Sequence, residues 1–484
     1  MGSYNTDMTK RVILVHPPMY LSVLYGDLAA AGSELPPQGL CIIAAVLRQK
    51  GFEPVIIDAT AEKLGYKETL TRIKSFLPAL FVGMGVYYVA EGTVGRLAKA
   101  LKKINPDLPI VVGGGHISIL GEKVMERHPQ FDIAVFGEGE ETIVDVAKAL
   151  SQSRPLGNLK GVVCRQGGKI IKNSPRPFLK NLDKIPFPAW DLLPDITRYY
   201  TPAGDSLKRW PSTGLVTSRG CPGTCFFCNR NSFGTHVRQN SPDYVIAEIK
   251  DLQKKYNIKD IYFQDDTFVA NRKWVVKFCR LLIREKLDLT WACHGRVDFV
   301  DLPLLKLMKK AGCWQMAFGL ESGSQQVLDA INKRTTVKQN YQALQYCRRA
   351  GLSTKGLFMI GAFGENLETI NVTKQFLKKA YLTDIHITFF TVIPGTVASI
   401  VWPRFGKNPA GRVPAVTAKP SFIANGLSTR LLIKKHRELY RTFYFQPKII
   451  WYFLTKLRYP HQAKKIITSA MALARYTLKP KPAT

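Results

Sequence analysis

The sequence predicts an α/β chain in three parts: a doubly wound parallel-sheet domain, a partial barrel of six strand–helix repeats, and a basic helical tail. Three observations carry this reading. Strand-like and helix-like periodicities alternate through residues 9–150 and again through 211–396, as in parallel sheets covered by helices. Residues 397–484 hold helical spacing without a strand pattern. The chain has 484 residues, 46% hydrophobic and 22% charged, enough for about three folded domains. A disordered chain, a collagen and a small disulfide scaffold are excluded.

In the first part, residues 12–16 form a short apolar strand that ends at Pro17-Pro18, and 39–49 have helical spacing closed by Gly51. Strands follow at 54–58, 79–86, 109–112 and 133–136, with helices at 93–104 and 141–150. Ligands of such sheets sit at the carboxyl ends of the strands. Two glycine-rich segments fall there, Gly113-Gly114-Gly115-His116 and Gly137-Glu138-Gly139-Glu140, and their glycines serve equally as tight turns or as close-approach points for a ligand. Neither fits GxGxxG, so a nicotinamide cofactor is not indicated. Residues 151–210 read as a connector with a hairpin at 161–172.

The second alternation places strands at 213–218, 260–264, 290–294, 316–320, 355–360 and 384–391. Helices lie between them at 242–254, 274–286, 301–311, 324–330 and 337–350. Six repeats in this length make a barrel or partial barrel, again with its chemistry at the strand C-termini.

The chain holds nine cysteines, an odd count, and it opens without a signal-peptide pattern. A disulfide framework is therefore not expected, and a cytoplasmic location is. Cys221-Pro-Gly-Thr-Cys225-Phe-Phe-Cys228 follows the first barrel strand. Three thiolates in CxxxCxxC spacing on one loop can hold three corners of a [4Fe–4S] cube and leave the fourth iron open. A zinc site completed by His236 is the competing reading. Cys279, Cys293, Cys313 and Cys347 sit in regular elements and read as core thiols.

CxxxCxxC after the first strand of a six-repeat barrel resembles the radical S-adenosylmethionine enzymes. The resemblance implies that Cys221, Cys225 and Cys228 hold the cluster and that Phe227 lies beside bound S-adenosylmethionine. It also implies that Asp265 and Asp266 sit near the methionine amino group, that Arg296 meets a carboxylate, that Glu321 and Ser322 lie near the ribose, and that Ile360 and Gly361 lie near the adenine. Pro394-Gly395-Thr396 matches the close of the barrel in one large branch. The upstream domain, with Pro36-Pro37-Gln38-Gly39-Leu40 and its two glycine-rich strand ends, resembles the cobalamin-binding domain of the cobalamin-dependent branch. By that resemblance Pro17, Gly39, Gly113, Gly114, Gly115, His116, Gly137, Glu138, Gly139 and Glu140 contact cobalamin. The resemblance spans 11–396 and reaches Tyr444-Phe445-Gln446-Pro447. No Asp-x-His-x-x-Gly motif is present, so an axial histidine from that motif is not expected. A methylthiotransferase would need three more upstream cysteines, and only Cys41 and Cys164 precede Cys221.

The branch implies hydrogen abstraction from an unactivated carbon by a 5′-deoxyadenosyl radical, then methyl transfer from methylcobalamin, with a flavodoxin or ferredoxin as reductant. The alternative within the branch is oxidative cyclisation of a tetrapyrrole or isoprenoid, and a non-catalytic cobalamin or metal sensor is the alternative of a different class.

Charge is the outlier of the composition, at +33 overall. Residues 1–150 carry 15 basic and 16 acidic side chains, whereas 396–484 carry 17 basic ones and a single acid, Glu438. Apolar residues Ile449, Ile450, Phe453, Leu454 and Leu457 lie at helical spacing beside Lys448, Lys456 and Arg458, with Trp451, Tyr452 and Tyr459 among them. Ile466, Ile467, Ala470, Met471 and Ala474 repeat the spacing beside Lys464, Lys465 and Arg475. One reading packs both stripes on the barrel. The other lays them on an anionic membrane surface, on the inner face of the membrane, with a large apolar or lipid substrate. No nucleic-acid-binding module is present, and no apolar run of about 20 residues could form a spanning helix.

Overall fold

The computed structural model describes residues 10–200, 202–203, 206–230, 232–408, 419–457 and 460–478. The chain divides into two compact units. One contains the first strand and Pro36–Tyr199, and the other contains Leu21–Leu35 and nearly all of the chain from Tyr200 onward.

The first unit is built on strands β1 (Arg11–His16), β2 (Glu53–Asp58), β3 (Phe81–Gly85), β4 (Ile110–Gly113), β5 (Ile133–Val135), β6 (Val162–Gln166) and β7 (Lys169–Lys172). They form one sheet in the order β2-β1-β3-β4-β5-β6-β7. The first five are parallel, with Leu14 opposite both Ile56 and Gly83. The order steps outward in both directions from β1, which makes the sheet doubly wound. Runs such as Val12-Ile-Leu-Val are buried on both faces, so they read as continuous apolar stretches rather than alternating ones. Helices Gln38–Gln49, Tyr66–Lys74, Glu91–Ile104 and Gly115–Arg127 supply the four crossovers, and Glu140–Ser151 leads from β5 to the antiparallel β6. The hairpin expected within a connector is β6 and β7, and it extends this sheet antiparallel from β5, with Ala134 opposite Val163. Val162, Val163 and Cys164 are buried, and that burial draws the hairpin onto the sheet.

The second unit begins with β8 (Ser212–Leu215), β9 (Ser218–Arg219) and β10 (Arg238–Gln239). It continues with β11 (Asp260–Phe263), β12 (Thr290–Gly295), β13 (Cys313–Glu321), β14 (Ser353–Ile360) and β15 (Asp384–Phe389). The order β15-β14-β13-β12-β11-β8 is a parallel, open six-stranded sheet, the partial barrel. The strand expected at 213–218 is broken into β8 and β9. The cause comes from the end of the adjacent strand: Thr217 gives its backbone N–H to the Asp265 carboxylate at 2.9 Å rather than to a neighbouring strand. Helix starts follow capping chemistry. Ser241, Asn271 and Asp301 each accept from the backbone amide three residues on, and Thr336 with Gln339 forms a reciprocal capping box. Behind the sheet, Phe263, Phe268, Phe278 and Trp291 pack ring to ring at 4.7–5.8 Å.

The tail carries one departure from its all-helical expectation. β16 (Gly406–Lys407) and β17 (Ile423–Ala424) pair as a short antiparallel ribbon. Helices Thr429–Tyr444, Pro447–Lys456 and Pro460–Leu478 follow. The first is anchored by buried His436, which contacts the Ile387 carbonyl at 3.0 Å and the Tyr476 hydroxyl at 2.6 Å. Arg458 and Tyr459 lie outside the described residues.

Candidate active site

In the second unit, Cys221, Cys225 and Cys228 share the loop that follows β9. Gly223 donates its N–H to the Cys221 sulfur at 3.4 Å, and the Thr267 hydroxyl stands 3.5 Å from that sulfur. A Cβ added at Gly223 would lie 3.4 Å from the Cys221 sulfur, 3.8 Å from the Cys225 sulfur and 3.2 Å from Arg296. Glycine at this position therefore keeps the space among the thiols clear. Arg230 ties the loop back on itself through the Gly223 carbonyl at 3.0 Å. Phe227 packs, half-buried, against an apolar cluster that includes Phe363, Phe390 and Phe422.

The thiols are tuned differently. Burial raises the Cys225 pKa, and the cations Lys333 and Arg296 oppose that rise. Loss of water around its sulfur, followed by the Asp266 carboxylate, pushes Cys228 up to about 11. Arg296 approaches the Cys225 sulfur at 3.9 Å through one guanidinium nitrogen and holds Asp298 at 3.0 and 3.1 Å through two others. Three thiols on one loop with adjacent cations and an amide donor fit an iron–sulfur cube, whose three-thiolate ligand set is anionic. The fit lies in the donor chemistry and spacing: among the described residues no three His, Cys, Asp or Glu, these thiols included, are gathered closely enough to grip a metal ion as they stand.

The other expected contact residues are gathered by the same strand ends. Asp265 is fully buried and accepts from Thr217 N at 2.9 Å, Thr217 Oγ1 at 3.1 Å and Ser218 Oγ, so it holds the strand leading into the cysteine loop. Burial pushes its carboxyl up to about 6 against those donors. Asp266, the next residue, is exposed. Glu321 ends β13 with φ +62°, where a register shift turns the strand, and meets Lys333 Nζ at 2.7 Å. Ser322 is spent on Thr373 Oγ1 at 3.0 Å and on the Ser324 amide at 3.1 Å. Ile360 is core, and Gly361 follows with φ +81°.

Glu365 accepts the Gly361 amide and is buried. Burial raises its carboxyl from 4.5 to about 8. The folded chain then binds this proton where the unfolded chain releases it, so stability falls as pH rises through that window. Glu365→Gln is expected to flatten the fall. Urea midpoints compared at about pH 5 and about pH 8 check this, and an equal fall in both proteins would contradict it.

In the first unit, the expected contact residues line the carboxyl edge of the sheet after β1, β4 and β5. The Pro17 carbonyl accepts from Thr60 Oγ1 at 2.8 Å. Gly114 has φ +106°, with its would-be Cβ only 3.3 Å from the Val86 carbonyl, so a side chain is excluded from the turn between Gly113 and Gly115. His116 is buried and points Nε2 at Glu91 at 2.8 Å, and Glu91 also takes Arg127 and His128. Gly137 donates to Ser118 Oγ at 3.0 Å, and Glu138 accepts the Leu179 amide at 2.6 Å. Gly139 caps the helix opened by Glu140, and its would-be Cβ lies 3.1 Å from Ile43. A Cβ at Gly39 or Gly137 would meet no protein atom within 4 Å, which leaves the backbone there open to close approach. His16, which the resemblance names with His116 as a histidine near the cobalt, has its Nδ1 2.8 Å from fully buried Asp58 at the ends of β1 and β2.

The radical SAM superfamily model matches residues 215–377, and the B12 binding domain model matches 26–147. An uncharacterised methyltransferase from Pyrococcus horikoshii is 32% identical over 91% of this chain and 94% of its own length. The chain belongs to the cobalamin-dependent radical S-adenosylmethionine enzymes. The enzyme's cofactors are those of its family: a [4Fe–4S] cluster, S-adenosylmethionine and cobalamin. It is also similar to the anaerobic magnesium-protoporphyrin IX monomethyl ester cyclase of Rubrivivax gelatinosus, at 30% identity over 75% of this chain, and spans 64% of that protein's length. The hopanoid C-3 methylase of Methylococcus capsulatus is 25% identical over 80% of this chain and 71% of its own. The enzyme shares its fold with the cobalamin-dependent enzyme OxsB, solved with aqua-cobalamin and S-adenosylmethionine, at TM-score 0.75 and 18% identity over 97% of this chain and 72% of that one.

Proposed function

We propose that this radical SAM enzyme methylates an unactivated carbon of a large apolar substrate. The observation that carries the reading is the 32% identity to a methyltransferase along nearly the whole of both chains. When bound, the cluster with S-adenosylmethionine supplies the hydrogen-abstracting radical, and cobalamin supplies the methyl group. The chain's residues do the rest. Cys221, Cys225 and Cys228 hold the irons, Gly223 keeps the space among the sulfurs clear, and Arg296 with Lys333 offsets the negative charge gathered there. Asp265 fixes the strand that leads into the cysteine loop. A flavodoxin or ferredoxin supplies electrons. Incubation with methyl-labelled S-adenosylmethionine and candidate lipids tests the reading, and label must appear in the product. The similarity to the cyclase favours a second reading, in which a ring forms and no label is transferred.

The lipid part of this reading is supported by the tail. Ile450, Trp451 and Leu454 are exposed on one face of helix Pro447–Lys456, as are Ile467, Met471 and Leu478 on helix Pro460–Leu478. Trp451 is 69% exposed. Among the described residues no helix is long and apolar enough to cross a membrane. Apolar faces flanked by Lys448, Lys464 and Lys465 suit insertion at an anionic interface. The full chain is expected to co-sediment with phosphatidylglycerol vesicles. The double variant Trp451→Ser, Leu454→Ser should bind about 100-fold or more weakly, given about 1.5–3 kcal/mol for each of the two large side chains. Equal binding by both proteins would remove the membrane reading.

A further inference from the structure

The turn after helix Gln325–Ala330 carries no recognised motif, yet it grips the cysteine loop. The Ile331 carbonyl accepts the Phe226 N–H at 3.0 Å. Asn332, at φ +52°, donates to the Thr224 carbonyl at 2.8 Å and to its hydroxyl at 3.1 Å. Lys333 comes next, with only 6% of its surface exposed. Its carbonyl accepts from Arg296 at 3.3 Å, the same guanidinium that stands 3.9 Å from the Cys225 sulfur. Its ammonium meets Glu321 at 2.7 Å.

This pair is costly to bury, because both ions lose water. The strand is shaped to hold it. Glu321 takes a left-handed backbone at a register shift, and a Cβ at Gly319 would lie 2.6 Å from the Glu321 carboxylate and 2.9 Å from the Lys333 nitrogen. Backbone contacts place the pair beside the cysteine loop: the turn that carries Lys333 holds Phe226 and Thr224, and the Lys333 carbonyl holds the guanidinium that stands 3.9 Å from the Cys225 sulfur.

We propose that Lys333 is an electrostatic positioning residue that raises the reduction potential of the cluster held by Cys221, Cys225 and Cys228, with Glu321 as the counter-charge that limits the rise. This rests on the cluster assignment made above. Uptake of one electron from a low-potential reductant adds one negative charge to an already anionic cluster. A cation shielded from water stabilises that charge far more than a surface lysine can. Lys333 thereby eases the electron transfer that must precede cleavage of S-adenosylmethionine.

The test is a redox titration of the anaerobically reconstituted full chain without S-adenosylmethionine, with the reduced cluster followed by electron paramagnetic resonance. Lys333→Met is expected to shift the midpoint potential downward at unchanged iron content, and Lys333→Arg to stay near the parent value. Glu321→Gln should shift it upward, because the ammonium is then unopposed. An unchanged potential in a fully loaded Lys333→Met overturns the proposal. So do shifts of the same sign in Lys333→Met and Glu321→Gln, which would mark general loosening of the site. If Lys333→Met does not fold, the sign of the Glu321→Gln shift decides. A parent protein with no reducible cluster would instead refute the cluster assignment itself.

Discussion

Cys225→Ala is expected to lose the brown cluster absorbance and to lower 5′-deoxyadenosine formation by more than about 100-fold. Removal of a residue that only supports a metal ligand typically costs 10–100-fold, and a ligand should exceed that. Cys225 is the buried thiol of the three, with the Arg296 guanidinium 3.9 Å from its sulfur. Its loss leaves two thiols for the cube and two cations facing a site with less negative charge. Iron content, absorbance and chromatographic detection of 5′-deoxyadenosine check the result, and retention of both cluster and product would overturn the ligand assignment. Cys347→Ala is the control. That thiol is fully buried in the core of helix Val337–Ala350, so its removal should cost stability and leave iron content unchanged.

Trp291→Ala is expected to be the most destabilising single change in the barrel, at about 3–5 kcal/mol. The indole is fully buried and packs against Phe263, Phe268 and Phe278 at 5.7, 5.4 and 5.8 Å. Its Nε1–H donates to the Ala311 carbonyl at 2.8 Å, and loss of that donor adds about 1 kcal/mol. Trp291→Phe should recover part of the packing and none of the hydrogen bond. Denaturant unfolding followed by circular dichroism measures both, and an effect under about 1 kcal/mol in Trp291→Ala would refute the packing argument.

The alternation of apolar strands with amphipathic helices was enough to read both parallel sheets, because each strand buries a short continuous run and each helix one face. Helix Val337–Ala350 falls on the residues its spacing predicts, since Thr336 and Gly351 punctuate it at both ends. The cysteine loop was legible because its chemistry is local in sequence. Ile331, Asn332 and Lys333 were not, because their significance comes from a contact made about a hundred residues away. Nothing in Asn-Lys itself marks a clamp. The break between β8 and β9 was hidden for the same reason: its cause, Asp265, belongs to the next strand's end. The short ribbon of β16 and β17 is too brief to leave any periodicity.

The six cysteines outside the loop are all buried. Burial raises the pKa of Cys41, Cys164, Cys279, Cys293 and Cys347, as it does those of Cys225 and Cys228, so what separates the two sets is access and spacing rather than acidity. Cys228 is exposed and Cys221 half-buried. The fold itself thus sorts its sulfur. Iron and sulfide delivered during maturation meet the accessible end of the loop, and the remaining thiols are kept out of competition by the hydrophobic interior that surrounds them.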